Sequence, residues 1–332
     1  MNKPAFGFLP IIAAILLLLS CSFDLSKESN PPDEQSLTVY VMGFAAIEKG
    51  MKSAADEYNL YRARDGLHSV RIEASYAPSS KMAEKIMSGT PCQLAILEDD
   101  NDRKLLEAKG LAGKRNMSLA RFGVILESPL VILVRKGNPT NIHSLSDLSS
   151  SGRRLILPDP EAERAGLWSI IAIYQAALNK TNNLDAARSA LLAYRQNIAA
   201  QPTSIEEAIK LLKNGTGEAL PLYEVDAMNA VATDNNLEII IPTVTMRCEF
   251  VICLMDTSGT AEQRDTASSF GSYMVSEKGQ FNWTNVNFLS PLYEKLNPPT
   301  RHAGIKTFLR VDEIGGFVKA RADIYDGIWR KP

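Results

Sequence analysis

The sequence predicts an α/β protein, and three observations predict it. Short apolar runs alternate with stretches of helical period along most of the chain. Hydrophobic residues make up 45% and charged residues 22%, the balance of an ordinary globular protein with a buried core. No internal repeat or low-complexity block interrupts the alternation, and 332 residues suffice for one large or two medium domains.

The chain begins with Lys3 and then an apolar run from Phe6 to Leu19. The run is too short for a spanning helix, which needs about 20 residues to cross a core of roughly 30 Å, and it reads as an export signal. It ends in Leu18-Leu19-Ser20-Cys21, which resembles the bacterial lipobox. That resemblance implies cleavage before Cys21, acyl chains on its sulfur, and firm residence at a membrane surface. Residues 1–20 would be the leader. Residues 21–36, rich in Ser, Pro, Asn and acids, would be a flexible tether.

The globular part opens with Leu37–Met42 (LTVYVM), expected as a buried strand, and a helix from Ile47 to Tyr61. Val70–Tyr76 is a second strand, with a helix from Ser79 to Met87 after Pro78. Leu94–Leu97 is a short strand, and a helix covers Arg103–Lys109. Val124–Val134 is a long apolar run that contains a proline. Leu155–Leu157 is a strand; Gly166–Leu178 and Ala186–Tyr194 are helices. Thr203 opens a helix that stops near Asn214-Gly215, a glycine end signal. Ala219–Tyr223, Leu237–Ile241 and Arg247–Met255 are strands, and residues 260–330 are expected to be mainly helical.

Composition excludes several classes. A formal net charge of −2 offers no footprint for nucleic acid. His68, His143 and His302 are isolated, and no GxSxG, GxGxxG or GxxxxGK[ST] motif occurs, so no metal site, cofactor or catalytic centre is expected. The acidic run Glu98–Asp102 lacks the calcium-loop spacing and reads as the start of a helix, where acids are favoured. Beyond Cys21 three cysteines remain. Cys248 and Cys253 stand five apart in one strand, on opposite faces, and should not pair with each other.

The ordered stretches LTVYVM, YAPSSKMAEKIMSGTPCQLAI, LVILVRKGNP, SLSDL, LPDPEAERAG and PLYEVDAM resemble the molybdate- and tungstate-binding proteins of ABC importers. The resemblance covers roughly residues 37–290. It implies a type II periplasmic-binding fold, with two α/β lobes joined by two crossings and the ligand between them. Lobe one would hold residues 37–126 and 248–300, lobe two residues 127–247, and residues 301–332 would be a mostly helical extension. The crossings would lie near Glu127–Val131 and Val244–Cys248.

The family rings its oxyanion with backbone amides at helix N-termini and a few hydroxyls, without cationic side chains. Carried over by motif, Ser79 falls on the ligand serine, with N-capping of the helix after Pro78 as its other reading, and Ser80 follows it; Ala165 supplies an amide at the Ala-Gly turn, and Tyr223 donates its phenol. Thr203-Ser204-Ile205-Glu206 fits a capping box, as does Ser204 with Glu207. The resemblance adds an amide donor at Ile205, beside Ser204. Three departures stand out: Phe44, beside Ala45, occupies the place of a serine; Pro78 removes an amide; and Cys92-Gln93 replaces Ala-Asp. The implied function is capture of a small tetrahedral oxyanion, or an organic carboxylate, by a monomer in the cell envelope that serves a permease and an ATPase. A sensor lipoprotein and an enzyme on the same cleft are the alternatives.

Overall fold

The computed structural model describes residues 37–118 and 120–331. The leader, the lipobox ending at Cys21 and the tether 21–36 lie outside the described residues. Among the described residues no helix is long and apolar enough to cross a membrane.

The strands are β1 Thr38–Gly43, β2 Arg71–Tyr76, β3 Leu94–Leu97, β4 Val124–Arg135, β5 Leu155–Ile156, β6 Ile198–Ala200, β7 Ala219–Tyr223, β8 Leu237–Ile240, β9 Val244–Leu254 and β10 Thr307–Leu309. They form one mixed sheet in the order β2-β1-β3-β9-β4-β7-β5-β6, with β8 added to β4 and β10 to β9. β1 to β3 run parallel on one side, and β5 and β6 run parallel to β7 on the other. The long antiparallel pair β4 and β9 joins them, with Glu127 opposite Glu249 and Ser128 opposite Cys248. Pro129 has no amide hydrogen to give. It sits where β4 leaves β9 and, from Leu130 onward, pairs with β7, so the ladder loses nothing there.

The helices packed on the sheet are α1 Glu48–Arg64, α2 Ser79–Met87, α3 Asp100–Ala108, α4 Arg164–Thr181, α5 Leu184–Gln196, α6 Ile205–Lys213, α7 Glu224–Thr233, α8 Ala261–Val275, α9 Glu277–Thr284 and the short α10 Phe317–Ala320. α2 and β3 keep the bounds expected from sequence. Others shift for local reasons. Asp99 caps α3 by accepting from the Asn101 and Asp102 amides, so that helix starts at Asp100 and not at Arg103. Ser204, not Thr203, caps α6 by accepting from the Glu207 amide at 3.2 Å. α4 starts at Arg164, ahead of Gly166. A Cβ at Gly166 would lie 1.9 Å from the Pro158 carbonyl oxygen, so only glycine lets the helix approach that loop.

Three elements were absent from the sequence reading. β6 is three residues long, too short to show a period. α7 starts directly after Tyr223 without a side-chain cap, so its start carried no signal. β10 lies inside the tail expected to be helical, and pairs in parallel with the start of β9, Thr307 opposite Val244. The C-terminal segment is therefore part of the sheet and not an appendage. It continues through α10 into a π-helical stretch, Arg321–Trp329. Phe317, Ile324, Tyr325 and Trp329 are buried there, and ring contacts join Trp168 to Phe317 at 4.7 Å and Tyr194 to Trp329 at 5.8 Å. Burying a side chain of that size stabilises by about 1.5–3 kcal/mol. Cys92, Cys248 and Cys253 are buried and unpaired.

Candidate functional site

Every parallel strand that ends in the middle of the molecule delivers a site residue there. Phe44 and Ala45 follow β1, Tyr76 closes β2 with Ala77 and Pro78 after it, and Glu98 follows β3. Glu163 immediately precedes α4, Ser204 and Ile205 open α6 after β6, and Tyr223 closes β7. These residues, with Ala46, Glu206 and Asp226, line one cavity of about 320 Å³. Ligands of open α/β sheets bind at such carboxyl ends. Two larger clefts, of about 430 and 450 Å³, lie elsewhere, one beside Gly89–Pro91 and one between Arg103, Arg121 and the C-terminal segment. Neither is lined by a residue that the resemblance implies as a ligand contact.

Five of the residues expected at the site line this cavity: Phe44, Ala45, Ser204, Ile205 and Tyr223. The other three do not. Ser79 is buried beneath the wall: its amide donates to Glu98 Oε2 at 3.2 Å, and its hydroxyl accepts from the Glu98 amide at 2.6 Å. It is neither an N-cap nor exposed to the cavity. The Ser80 hydroxyl turns outward and donates to the Glu161 carbonyl at 3.4 Å. Ala165 is buried inside the first turn of α4.

The aromatic floor explains Phe44. Its ring lies 4.8 Å from Phe250 and 6.5 Å from Tyr223, and Phe250 meets Tyr223 edge to face at 5.0 Å. A serine at position 44 would leave a void where that ring packs. Tyr223 is 1% exposed, and its hydroxyl has no hydrogen-bond partner among the described residues. An orphaned buried hydroxyl costs about 1–3 kcal/mol. Here it belongs to a side chain of the cavity wall, which is how a binding site holds a donor in readiness. Burial, then the nearby charge of Glu98, raises its pKa well above the usual tyrosine range, so it stays a donor at any physiological pH.

Sequence reasoning missed the acids. Glu98 was counted with the acidic run before α3, and Glu163 and Asp226 were passed over. Glu98 is 2% exposed, and its pKa is pushed up to about 8 by burial first and by Glu163 second. Glu163 is pushed up to about 7 by burial and by Asp226, against a lowering pull from the Ile205 amide. Asp226 is pushed up to about 7 by burial. One signal could have found Glu98: it directly follows the fully buried strand Leu94–Leu97, at the carboxyl end where open α/β sheets bind ligands. Among the described lining residues there is no Lys, Arg or His. An ionised carboxylate about 4 Å from a unit anionic charge repels it by about 4 kcal/mol at an effective dielectric constant of 20. A hydrogen bond to a charged group returns about 1.5–3 kcal/mol. Repulsion wins unless the acids are neutral.

Behind the cavity wall, Arg164 is 3% exposed and lies between two acids. Its Nε approaches Asp99 Oδ2 at 2.6 Å, off the line of the N–H, and its Nη2 donates to Asp102 Oδ2 at 3.0 Å. Trp168 Nε1 donates to the Glu98 carbonyl at 3.1 Å, pinning the residue whose carboxyl enters the cavity. Among the described residues no group of three or more His, Cys, Asp or Glu could hold a metal ion.

Comparison with known proteins agrees with this architecture. The sequence profile of the family described as "Bacterial extracellular solute-binding protein" matches residues 39–284. The sulfate-binding protein of Salmonella typhimurium is 27% identical over 334 residues, 97% of this chain and 96% of its own. The thiosulfate-binding protein of Escherichia coli is 24% identical over 311 residues, 88% of this chain and 83% of its own. Among solved structures, the sulfate-binding protein of Mycobacterium tuberculosis superposes with a TM-score of 0.75 at 21% identity, over 86% of this chain and 99% of its own. The type II periplasmic-binding fold is thus the fold of this chain, and the relatives carry sulfate and thiosulfate in their names where the motif resemblance implied molybdate. The chain belongs to the bacterial extracellular solute-binding protein family.

Proposed function

We infer that this chain captures a small oxyanion in the cavity at its central strand ends and delivers it to the permease and ATPase of an ABC importer. The carrying observation is the Tyr223 hydroxyl, buried and unpartnered in the wall of the cavity beside the α6 N-terminus. The names of the sulfate and thiosulfate relatives support the ligand class. Two lobes, residues 37–126 with 248–300 and residues 127–247, would close on the ligand about the paired strips of β4 and β9, as hinge proteins do.

Titration calorimetry with sulfate, thiosulfate, molybdate, tungstate and phosphate tests this reading. Tyr223→Phe deletes one donor to a charged ligand, worth about 1.5–3 kcal/mol, and should weaken the preferred oxyanion about 10- to 100-fold. Failure of every oxyanion to bind below millimolar at any pH from 5 to 8 would sink the assignment.

The lipobox carries its own expectation. Mature protein should partition into detergent and carry acyl mass on Cys21, and Cys21→Ala should release it or leave the leader uncut. A fully soluble wild-type product with an unmodified thiol at Cys21 would remove the anchor without touching the binding site.

A further inference from the structure

We propose that the oxyanion enters this cleft together with a proton, held between a ligand oxygen and the carboxyl group of Glu163 or Glu98. This rests on the oxyanion reading above and extends it to the mechanism of selection.

The geometry carries the argument. One amide beside the cavity is already occupied by a side chain of the protein itself: the Ser79 amide donates to Glu98 Oε2 at 3.2 Å. The Ile205 amide, at the start of α6, favours the charged form of Glu163. The Glu98 carboxylate sits at the start of α2, in the place an anion would take, and Glu163 lines the cavity together with the start of α6. The protein's own Glu98 therefore stands where an anion would bind. An arriving anion must share that space with it. Tyr223, the buried donor without a partner, lines the same cavity, which favours a ligand's place over a merely acidic patch.

The surrounding charges leave few other ways to balance an anion. From β3 come Glu98 and Asp99, the latter committed to Arg164. α4 and its approach bring Glu163 and Arg164, and Arg164 is taken up by Asp99 and Asp102. α7 brings Asp226, and its Glu224 turns away to His302 at 2.9 Å and Arg301 at 3.4 Å. α6 brings Glu206; β2, β7 and β9 bring Tyr76, Tyr223 and Cys248. Neutralisation by protons is what remains.

The sign follows from linkage. An acid whose pKa is already raised, Glu98 to about 8 and Glu163 to about 7, has it raised further by an adjacent anion, so binding takes up protons. For sulfate, which brings no proton at neutral pH, affinity should fall about tenfold per pH unit between about 7 and 9, and level off below about 6 where the acids are already neutral. Hydrogen phosphate brings its own proton and should show less uptake from the buffer.

Calorimetry in two buffers of different ionisation enthalpy at pH 8 reads the uptake directly, with sulfate or thiosulfate as the probe. About one proton is expected per anion bound. Glu163→Gln places a permanently neutral group of the same shape in the cavity wall. It should bind sulfate at least tenfold tighter at pH 8 and flatten the pH profile, whereas loss of a merely structural contact would weaken binding. Glu98→Gln, checked for its melting temperature, is the second arm should Glu163 not carry the proton. Sulfate bound with no proton uptake and a flat profile from pH 6 to 9 overturns the proposal and leaves oxyanion binding standing. A pH slope unchanged in both variants overturns it as well. No oxyanion bound at any pH takes down both readings.

Discussion

Arg164→Met is expected to lower the free energy of unfolding by about 3–5 kcal/mol, the usual cost of removing one partner from a buried ion pair. The guanidinium is 3% exposed and answers two carboxylates, Asp99 and Asp102, that are themselves buried. Methionine fills much of the volume but leaves both acids without a cation in a place water does not reach. Asp99 also caps α3, accepting from the Asn101 amide at 2.8 Å, so it cannot turn away to solvent without uncapping that helix. The pH dependence has a definite sign. Burial raises the pKa of Asp99 even with Arg164 in place, and without the arginine it rises further. A raised acid is tolerated while protonated and becomes costly as pH climbs through its folded pKa. Urea unfolding should therefore show a larger deficit for the variant at pH 8 than at pH 5, and Asp99→Asn in the same background should recover part of it. A deficit under 1 kcal/mol, or one that shrinks as pH rises, would mean the triad is not the staple described.

The second large effect is expected at Glu127, in the strip where β4 pairs with β9. Its side chain is fully buried. Its Oε2 lies 2.6 Å from Arg247 Nε, and its Oε1 lies 3.5 Å from Arg121 and 3.7 Å from Arg310. Arg247 in turn lies over the Phe308 ring of β10 at 4.9 Å, so this one carboxylate organises the arginines that hold the C-terminal segment to the sheet. Glu249 shares the cluster and is pushed up to about 7 by burial and by Glu127 itself. Glu127→Gln keeps the shape and removes the charge. About 3 kcal/mol should be lost, and amide exchange should quicken in residues 305–331 before it does in β1 or β3. Uniform exchange across the chain would show that the C-terminal segment is held by its buried aromatics and not by this charge cluster.

Several parts of the molecule were legible in the residue order because the forces that make them are local. Leu94–Leu97 and Ser79–Met87 appear at the bounds expected from sequence, since an apolar run and a helical period need only neighbours to declare themselves. Motif order also carried Phe44, Ser204, Ile205 and Tyr223 to one cavity although they lie far apart in the chain. Ser79 shows what residue order leaves open. A serine after proline at a helix start is an N-cap or a ligand in sequence terms, and only packing showed its hydroxyl engaged by the Glu98 amide. β10 escaped because three residues, Thr307–Leu309, have no strand period of their own; the open edge of β9 makes them a strand.

The charge state of the site was the tertiary structure's to decide. Glu98, Glu163 and Asp226 come from three separate elements, and nothing in their local sequence marks them as a set. Desolvation and the repulsion between like charges depend on distance in space, so an acid that is ordinary in the chain has its pKa raised when folding buries it near another. Sequence by itself determined that this is an α/β chain of alternating strands and helices, with an apolar, signal-like run ahead of Cys21, because periodicity and short motifs are properties of neighbours. Which groups meet at the strand ends, and whether they meet charged or neutral, is a property of the fold alone.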